Sequence, residues 1–269
     1  LLGPNGAGKS TTLLMLAGVL VPDRGRIGYA GVLGPERPVV RRTVGFVPQG
    51  LAIYEDLTAA ENLRFFARLH RVERGRVAER VERALELAGL EDHRHRRVRT
   101  FSGGMQRRLN LACATLHEPD FLLLDEPTVG VDPQSRDHIF SSIERLKASG
   151  LTIVYSTHYM EEAERLCDRV AIMDGGKVLA EGTRDELIHQ HGGELSVAAE
   201  FLPEVTLQVV SGEANVAPGP RRLAFRSGSA DEVLRRLMSE PGRLSELTVR
   251  RPNLESVFLA LTGRSLRDE

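Results

Sequence analysis

Residues 1–11 read LLGPNGAGKST, and from Gly3 to Ser10 they match the pattern G-x-x-x-x-G-K-[ST] at every fixed position. The loop is built from Gly3, Pro4, Asn5, Gly6, Ala7, Gly8, Lys9 and Ser10, with Thr11 behind it. Its glycines let the backbone curl until several N–H groups converge on phosphate oxygens. A helix starting directly behind it, read here as Ser10 to Leu20, turns its positive end toward the same charge. Lys9 then reaches the terminal phosphates of a nucleotide, and the Ser10 hydroxyl is placed to ligate Mg²⁺. Such a loop usually follows a complete β-strand, yet only Leu1 and Leu2 precede it.

Working outward, "GRIGYAG" (25–31) and "RTVGFVPQ" (42–49) predict strands bounded by Gly and Pro. "AAENLRFFARLH" (59–70) and "ERVERALELAGL" (79–90) carry apolar residues at helical spacing. The polar, basic "EDHRHRRVRT" (91–100) reads as a connecting surface, and a helix follows with Leu109, Ala112, Cys113 and Leu116 on its apolar face. Then come a strand "FLLLD", a helix over "QSRDHIFSSIERLKASG", a strand "LTIVYS", a helix "MEEAERLCD" and a hairpin about Gly175-Gly176. Strands alternating with helices predict an α/β fold with a mainly parallel sheet. After His191 the composition changes. "HGGELSVAAEFLPE" (191–204) reads as a linker, followed by strand candidates "VTLQVV", "RRLAFRS" and "SELTVRR" and helix candidates "ADEVLRRLMS" and "NLESVFLALTG". The expected division is 1–190, with a helical subdomain at about 50–118, and a small α+β domain over 203–269.

Two further segments carry chemistry. Four apolar residues lead into Asp125-Glu126, and neighbouring strand side chains point to opposite faces, so the two acids are free to do different work. Asp125 is expected to hold the Mg²⁺ shell, and Glu126 to orient and deprotonate an attacking water. In "FSGGMQRRL", Ser102, Gly103 and Gly104 precede a helix and offer a second set of N–H groups to an anion. An ordinary Ser102 N-cap is the other reading of that segment. One nucleotide uses both anion sites if two copies pair head to tail.

The chain has 269 residues, a net charge of −1, 41% hydrophobic and 27% charged residues, which suits a domain with a well-buried core. That charge gives no general electrostatic hold on nucleic acid, and no nucleic-acid partner is expected. Cys113 and Cys167 have no metal-type spacing and read as packed thiols. No apolar run reaches the ~18 residues of a membrane helix.

The ordered set "GPNGAGKST", "VPQ", "FSGGMQRRL", "FLLLDEP", "VGVD" and "STH" resembles the ATP-binding cassette (ABC) ATPases. The resemblance implies a P-loop nucleoside triphosphatase fold with a helical subdomain, and ATP with Mg²⁺ as ligands. It implies that Gln49 senses Mg²⁺ and the γ-phosphate, and that Ser102, Gly103, Gly104 and Gln106 close over the partner's ATP. It places Asp132 at the dimer seam and makes His158 the switch that meets the γ-phosphate, beside Lys9 and Glu126 as catalytic residues. The family also carries strands and an adenine-stacking aromatic ahead of the loop, so the parent chain is expected to be longer at its N-terminus.

"LLLDEPTVGVDPQSR", "STHYMEEAERLCDRVAIMDGGK" and "NLESVFLALTGRSLRD" look like the bacterial drug-exporter subgroup, similar to daunorubicin-resistance ATPases. That implies a separate transmembrane permease, a second copy of the chain, and a peripheral place on the cytoplasmic face of the membrane. "LAIYEDLTAAENLRFF" is the candidate docking surface, with Tyr54, Leu57 and Phe65 either touching the permease or packed inside the helical subdomain. Leu254, Val257, Phe258 and Leu261 share one helical face, packed within the C-terminal domain or against the second subunit. The alternative function is a soluble ABC ATPase acting on ribosomes or another non-transport complex. Paired cassettes or long coiled coils would mark it, and the sequence shows neither. A non-hydrolysing regulatory cassette is disfavoured by the presence of Lys9, Asp125, Glu126 and His158.

Overall fold

The computed structural model describes residues 1–29, 32–34, 37–193, 195–202, 221–227, 230–239 and 243–263. It separates into two compact units, Leu1–Ala180 and Glu181–Glu269.

In the first unit, α1 (Lys9–Leu16) leads to a short hairpin of β1 (Gly28–Tyr29) and β2 (Val32–Leu33), then α2 (Pro38–Arg41) and β3 (Val44–Val47). The first helix stops four residues short of the expected Leu20, where Gly18 takes φ 69° and the chain turns. A helical arm follows, made of α3 (Ala59–Leu69), α4 (Val77–Ala88) and α5 (Gly103–Thr115). A capping box between Thr58 and Glu61 starts α3, left-handed Gly89 closes α4, and Ser102 caps α5 through Met105 N. The arm has its own core, in which Leu63, Leu85, Leu109, Ala112, Cys113 and Leu116 are all buried. "EDHRHRRVRT" is more than a connecting surface: its carbonyls at Arg94 and Arg96 accept from Ala60 N and Ala59 N, and Val98 is buried in that core.

The chain then alternates through β4 (Phe121–Asp125), α6 (Pro133–Ala148), β5 (Thr152–Ser156), α7 (Met160–Leu166), β6 (Val170–Asp174) and β7 (Lys177–Gly182). β3, β4 and β5 pair in parallel, in that order, and β6 forms a hairpin with β7. Leu2 bridges Thr157 and Ile172, both in parallel, so the residue just ahead of the phosphate loop sits between β5 and β6. β4 is covered on both faces. Leu122 and Leu124 pack with Ile139, Phe140 and Ile143 of α6, while Leu123 packs with Leu13 of α1. Burial on both sides explains its unbroken apolar run and holds the end of β4, with its two acids, close to α1.

The second unit contains α8 (Arg184–His191), β8 (Leu195–Leu202), β9 (Arg221–Ser227), α9 (Ala230–Met238), β10 (Arg243–Arg250) and α10 (Leu254–Thr262). The expected linker is in fact β8, the central strand of an antiparallel sheet ordered β10-β8-β9. Val197, Ala199 and Phe201 alternate along it and bury against Val233 and Leu237 of α9. Two small apolar residues and the preceding Gly192-Gly193 give that alternation little contrast in the sequence. The structural division therefore falls at Ala180/Glu181, ahead of the expected 190 and 203, because α8 and β8 belong to the C-terminal unit. "VTLQVV" lies outside the described residues. On α10, Leu254, Val257 and Phe258 are buried and Leu261 is half-buried, which is the packing reading of that helix.

Candidate active site

Gly6 and Gly8 take φ 77° and 95°, a region that side-chain-bearing residues rarely enter. A Cβ on Gly3 would lie 2.2 Å from the Met173 carbonyl oxygen, so only glycine lets the loop run this close to β6. Lys9 is buried and folded back over the loop, donating to the carbonyls of Gly3 (2.8 Å) and Pro4 (2.9 Å). Its Nζ also stands 3.0 Å from Glu126 Oε1. Thr11 is exposed on the first turn of α1.

Ser10 Oγ donates to Asp125 Oδ1 at 3.1 Å, and Ser156 Oγ donates to the same oxygen at 2.7 Å. Hydroxyl and carboxylate thus present hard oxygen atoms at one point beside the phosphate loop. That donor set fits Mg²⁺, which is commonly held by one or two protein oxygens together with substrate phosphates. Among the described residues, no group of three or more His, Cys, Asp or Glu forms a closed metal cage.

Glu126 is buried at the end of β4 with φ 44°, a strained backbone for a non-glycine residue. Its N–H donates to the Ser156 carbonyl (3.2 Å) and hydroxyl (3.1 Å), which fixes that conformation. His158 Nδ1 lies 3.3 Å from Glu126 Oε2. That nitrogen is buried without an aligned hydrogen bond, so the contact with Glu126 is proximity and not a made bond. Lys9, Asp125, Glu126 and His158 therefore meet around the loop.

The glycine-pair segment is elsewhere. Ser102 and Gly103 are exposed at the N-terminus of α5, and Gly104 is pressed against α6. A Cβ on Gly104 would fall 2.0 Å from Ser135 Oγ and 3.2 Å from Asp132 Oδ2. Asp132 caps α6 by accepting from Ser135 N at 2.9 Å, and that bond holds its carboxyl below the usual carboxylate range. Gln106 turns its amide to the Val98 carbonyl at 3.3 Å. Among the described residues, no hydrogen bond or ion pair joins Ser102–Gln106 to the loop Gly3–Ser10. Gln49 is exposed just past β3, and its carbonyl accepts from Arg107 of α5.

Sequence reasoning missed a buried group behind this site. Glu162, on the same stripe of α7 as Leu166, accepts hydrogen bonds from Thr128, Tyr155 and Thr157. Its signal was a carboxylate four residues ahead of a buried leucine, hidden in the charged run "MEEAER".

The fold and this site define a P-loop nucleoside triphosphatase. The ABC transporter family model matches residues 1–129. Over 280 residues the chain is 40% identical to the linearmycin resistance ATP-binding protein LnrL of Bacillus subtilis (strain 168), covering 100% of this chain and 90% of that protein. It is 39% identical to the daunorubicin resistance ATP-binding protein DrrA3 of Streptomyces coeruleorubidus, over 99% of this chain and 87% of that one. Among solved structures, it resembles the dimeric post-hydrolysis state of the ATP-binding cassette MJ0796 bound to ADP and Pi, with a TM-score of 0.61 and 27% identity. That match covers 68% of this chain and 83% of the other. The chain belongs to the ABC transporter family, and it is an ATPase.

Proposed function

We propose that this chain is the ATP-hydrolysing subunit of an exporter, working with a separate membrane subunit at the cytoplasmic face of the membrane. Among the described residues no helix is long and apolar enough to cross a membrane, so the pathway for the cargo belongs to that partner. The observation that carries this reading is the convergence of Lys9, Asp125, Glu126 and His158 on the phosphate loop, with the exposed Ser102-Gly103 pair outside it. Two copies paired head to tail would bring the Ser102, Gly103 and Gly104 segment of each over the loop of the other, with Asp132 at the seam. Relatives named for drug resistance, LnrL and DrrA3, together with one named for Nod factor export, support an exporter.

In this reading Lys9 leaves Glu126 and binds the terminal phosphates as ATP enters. Glu126 orients the attacking water and takes its proton, while His158 offers Nδ1 or Nε2 to the γ-phosphate oxygens. Ser10 and Asp125 would hold Mg²⁺, with Gln49 moving in from the end of β3. The ion would supply neutralisation of phosphate charge. Closure and reopening of the pair would drive the partner's alternating access.

The helical arm offers the permease contact. Tyr54 and Phe65 are 50% and 39% exposed and pack edge to face at 4.8 Å, while Leu57 is half-buried. Asn62 of α3 clamps Tyr54 through both its N–H and its carbonyl, each at 2.8 Å, which fixes the Tyr54 loop against the helix that carries Phe65. Affinity purification from native membranes tests the proposal. A multi-spanning membrane protein that is retained by the wild type and lost in Tyr54→Ala/Phe65→Ala supports it, and recovery with ribosomes overturns it.

A further inference from the structure

Glu162 has no part in the chemistry above, yet it is one of the most buried of the described acids, 3% exposed. Among the described residues it has no basic partner; hydroxyls surround it instead. Thr128 Oγ1 donates to Oε1 at 2.6 Å, while Tyr155 OH (2.9 Å) and Thr157 Oγ1 (2.6 Å) donate to Oε2. A buried carboxylate is tolerated only with such hydrogen bonds. Burial, and then the charge of Glu162, push the Tyr155 phenol well above its ordinary pKa, so it remains a donor.

The donors come from opposite flanks of the reacting pair. Thr128 lies two residues beyond Glu126, in a turn where Val129 N donates to the Glu126 carbonyl and Val131 N to the Thr128 carbonyl, just before Asp132 caps α6. Thr157 directly precedes His158, and its Oγ1 also accepts from Tyr159 N at 2.9 Å, so its bonds bracket that histidine. One carboxylate therefore ties the loop after Glu126 to the segment bearing His158. We propose that Glu162 is a positioning residue for hydrolysis, holding Glu126 and His158 in register from behind the site. This rests on the roles given above to Glu126 and His158.

Steady-state ATPase kinetics, scaled to folded protein, test it. Glu162→Met leaves three hydroxyls without their acceptor, and kcat should fall about 10- to 100-fold with KM for ATP changed less than about two-fold. Glu162→Gln should restore most of that loss: its amide oxygen accepts from Tyr155 and Thr157, and its nitrogen donates to the Thr128 hydroxyl, which also accepts. Thr128→Val and Tyr155→Phe each remove one arm and should lower kcat about two- to ten-fold; they carry the test if Glu162→Met does not fold. Wild-type kcat in both, or a loss confined to KM, overturns the role of Glu162. Glu126→Gln runs alongside: normal turnover there removes the underlying reading. Lost turnover there, with wild-type kcat in the two single-arm variants, removes only Glu162.

Discussion

Lys9 Nζ and Glu126 Oε1 are 3.0 Å apart, with side chains 4% and 6% exposed. The cation expected to grip the terminal phosphates and the carboxylate expected to activate water neutralise each other in this structure. On the proposed roles, nucleotide would take Lys9 from Glu126, and the same event would release Glu126 for its water.

Glu126→Gln should keep nucleotide binding and tighten it, because Lys9 loses its charged competitor. Phosphate release should fall by about 100-fold or more, the low end of what a general base contributes. The paired form should accumulate with ATP, read by light scattering. Normal turnover would remove Glu126 from the chemistry.

Lys9→Met should abolish detectable nucleotide binding and also destabilise the nucleotide-free chain. It strands a buried carboxylate, a change that costs about 3–5 kcal/mol when one partner of such a pair is removed. In urea unfolding, Lys9→Met/Glu126→Gln should be more stable than Lys9→Met alone. Equal midpoints would show that the pair is not coupled.

Gly104→Ala places a methyl group 2.3 Å from Ser135 Cβ and 2.0 Å from its Oγ. Relief requires α5 and the start of α6 to part, so stability should drop about 1–3 kcal/mol. ATP-dependent pairing should fail, while nucleotide binding to a single chain survives. An unchanged unfolding midpoint would contradict the close approach of the two helices.

His117 stacks on His70 with ring centroids 4.0 Å apart, and its Nε2 donates to the Val44 carbonyl at 3.2 Å. Burial, then the charge of His70, lower the His117 pKa to about 4, and burial lowers that of His70. Both fold as neutral rings, so their contribution is intact above the ordinary histidine pKa of about 6.5 and is lost as pH falls toward 4. Thermal unfolding should show the midpoint falling across that window, and His117→Leu should flatten the slope. An equal slope in the variant would place the titration elsewhere.

Much of the site was legible because its demands are local. Gly, Lys and Ser at their spacing mark a phosphate loop within eight residues, and a short apolar run marks a strand covered on both faces, with two acids at its tip. β8 was not legible, since Val197, Ala199 and Phe201 acquire an inside only once α9 covers them. Glu162 escaped for a related reason: a carboxylate in a charged helix reads as solvated until three hydroxyls from other elements enclose it.

By itself, LLGPNGAGKST and the motifs after it determined the phosphate loop, the acids at the tip of β4 and the alternation of strands and helices in the first unit, because each follows from bonding within a few neighbouring residues. The tertiary structure alone decided that Lys9 is held by Glu126, that Leu2 sits between β5 and β6, and that Gly104 rests on Ser135. Those contacts join residues far apart in the chain, and their distances are set by how the packed helices and sheet meet.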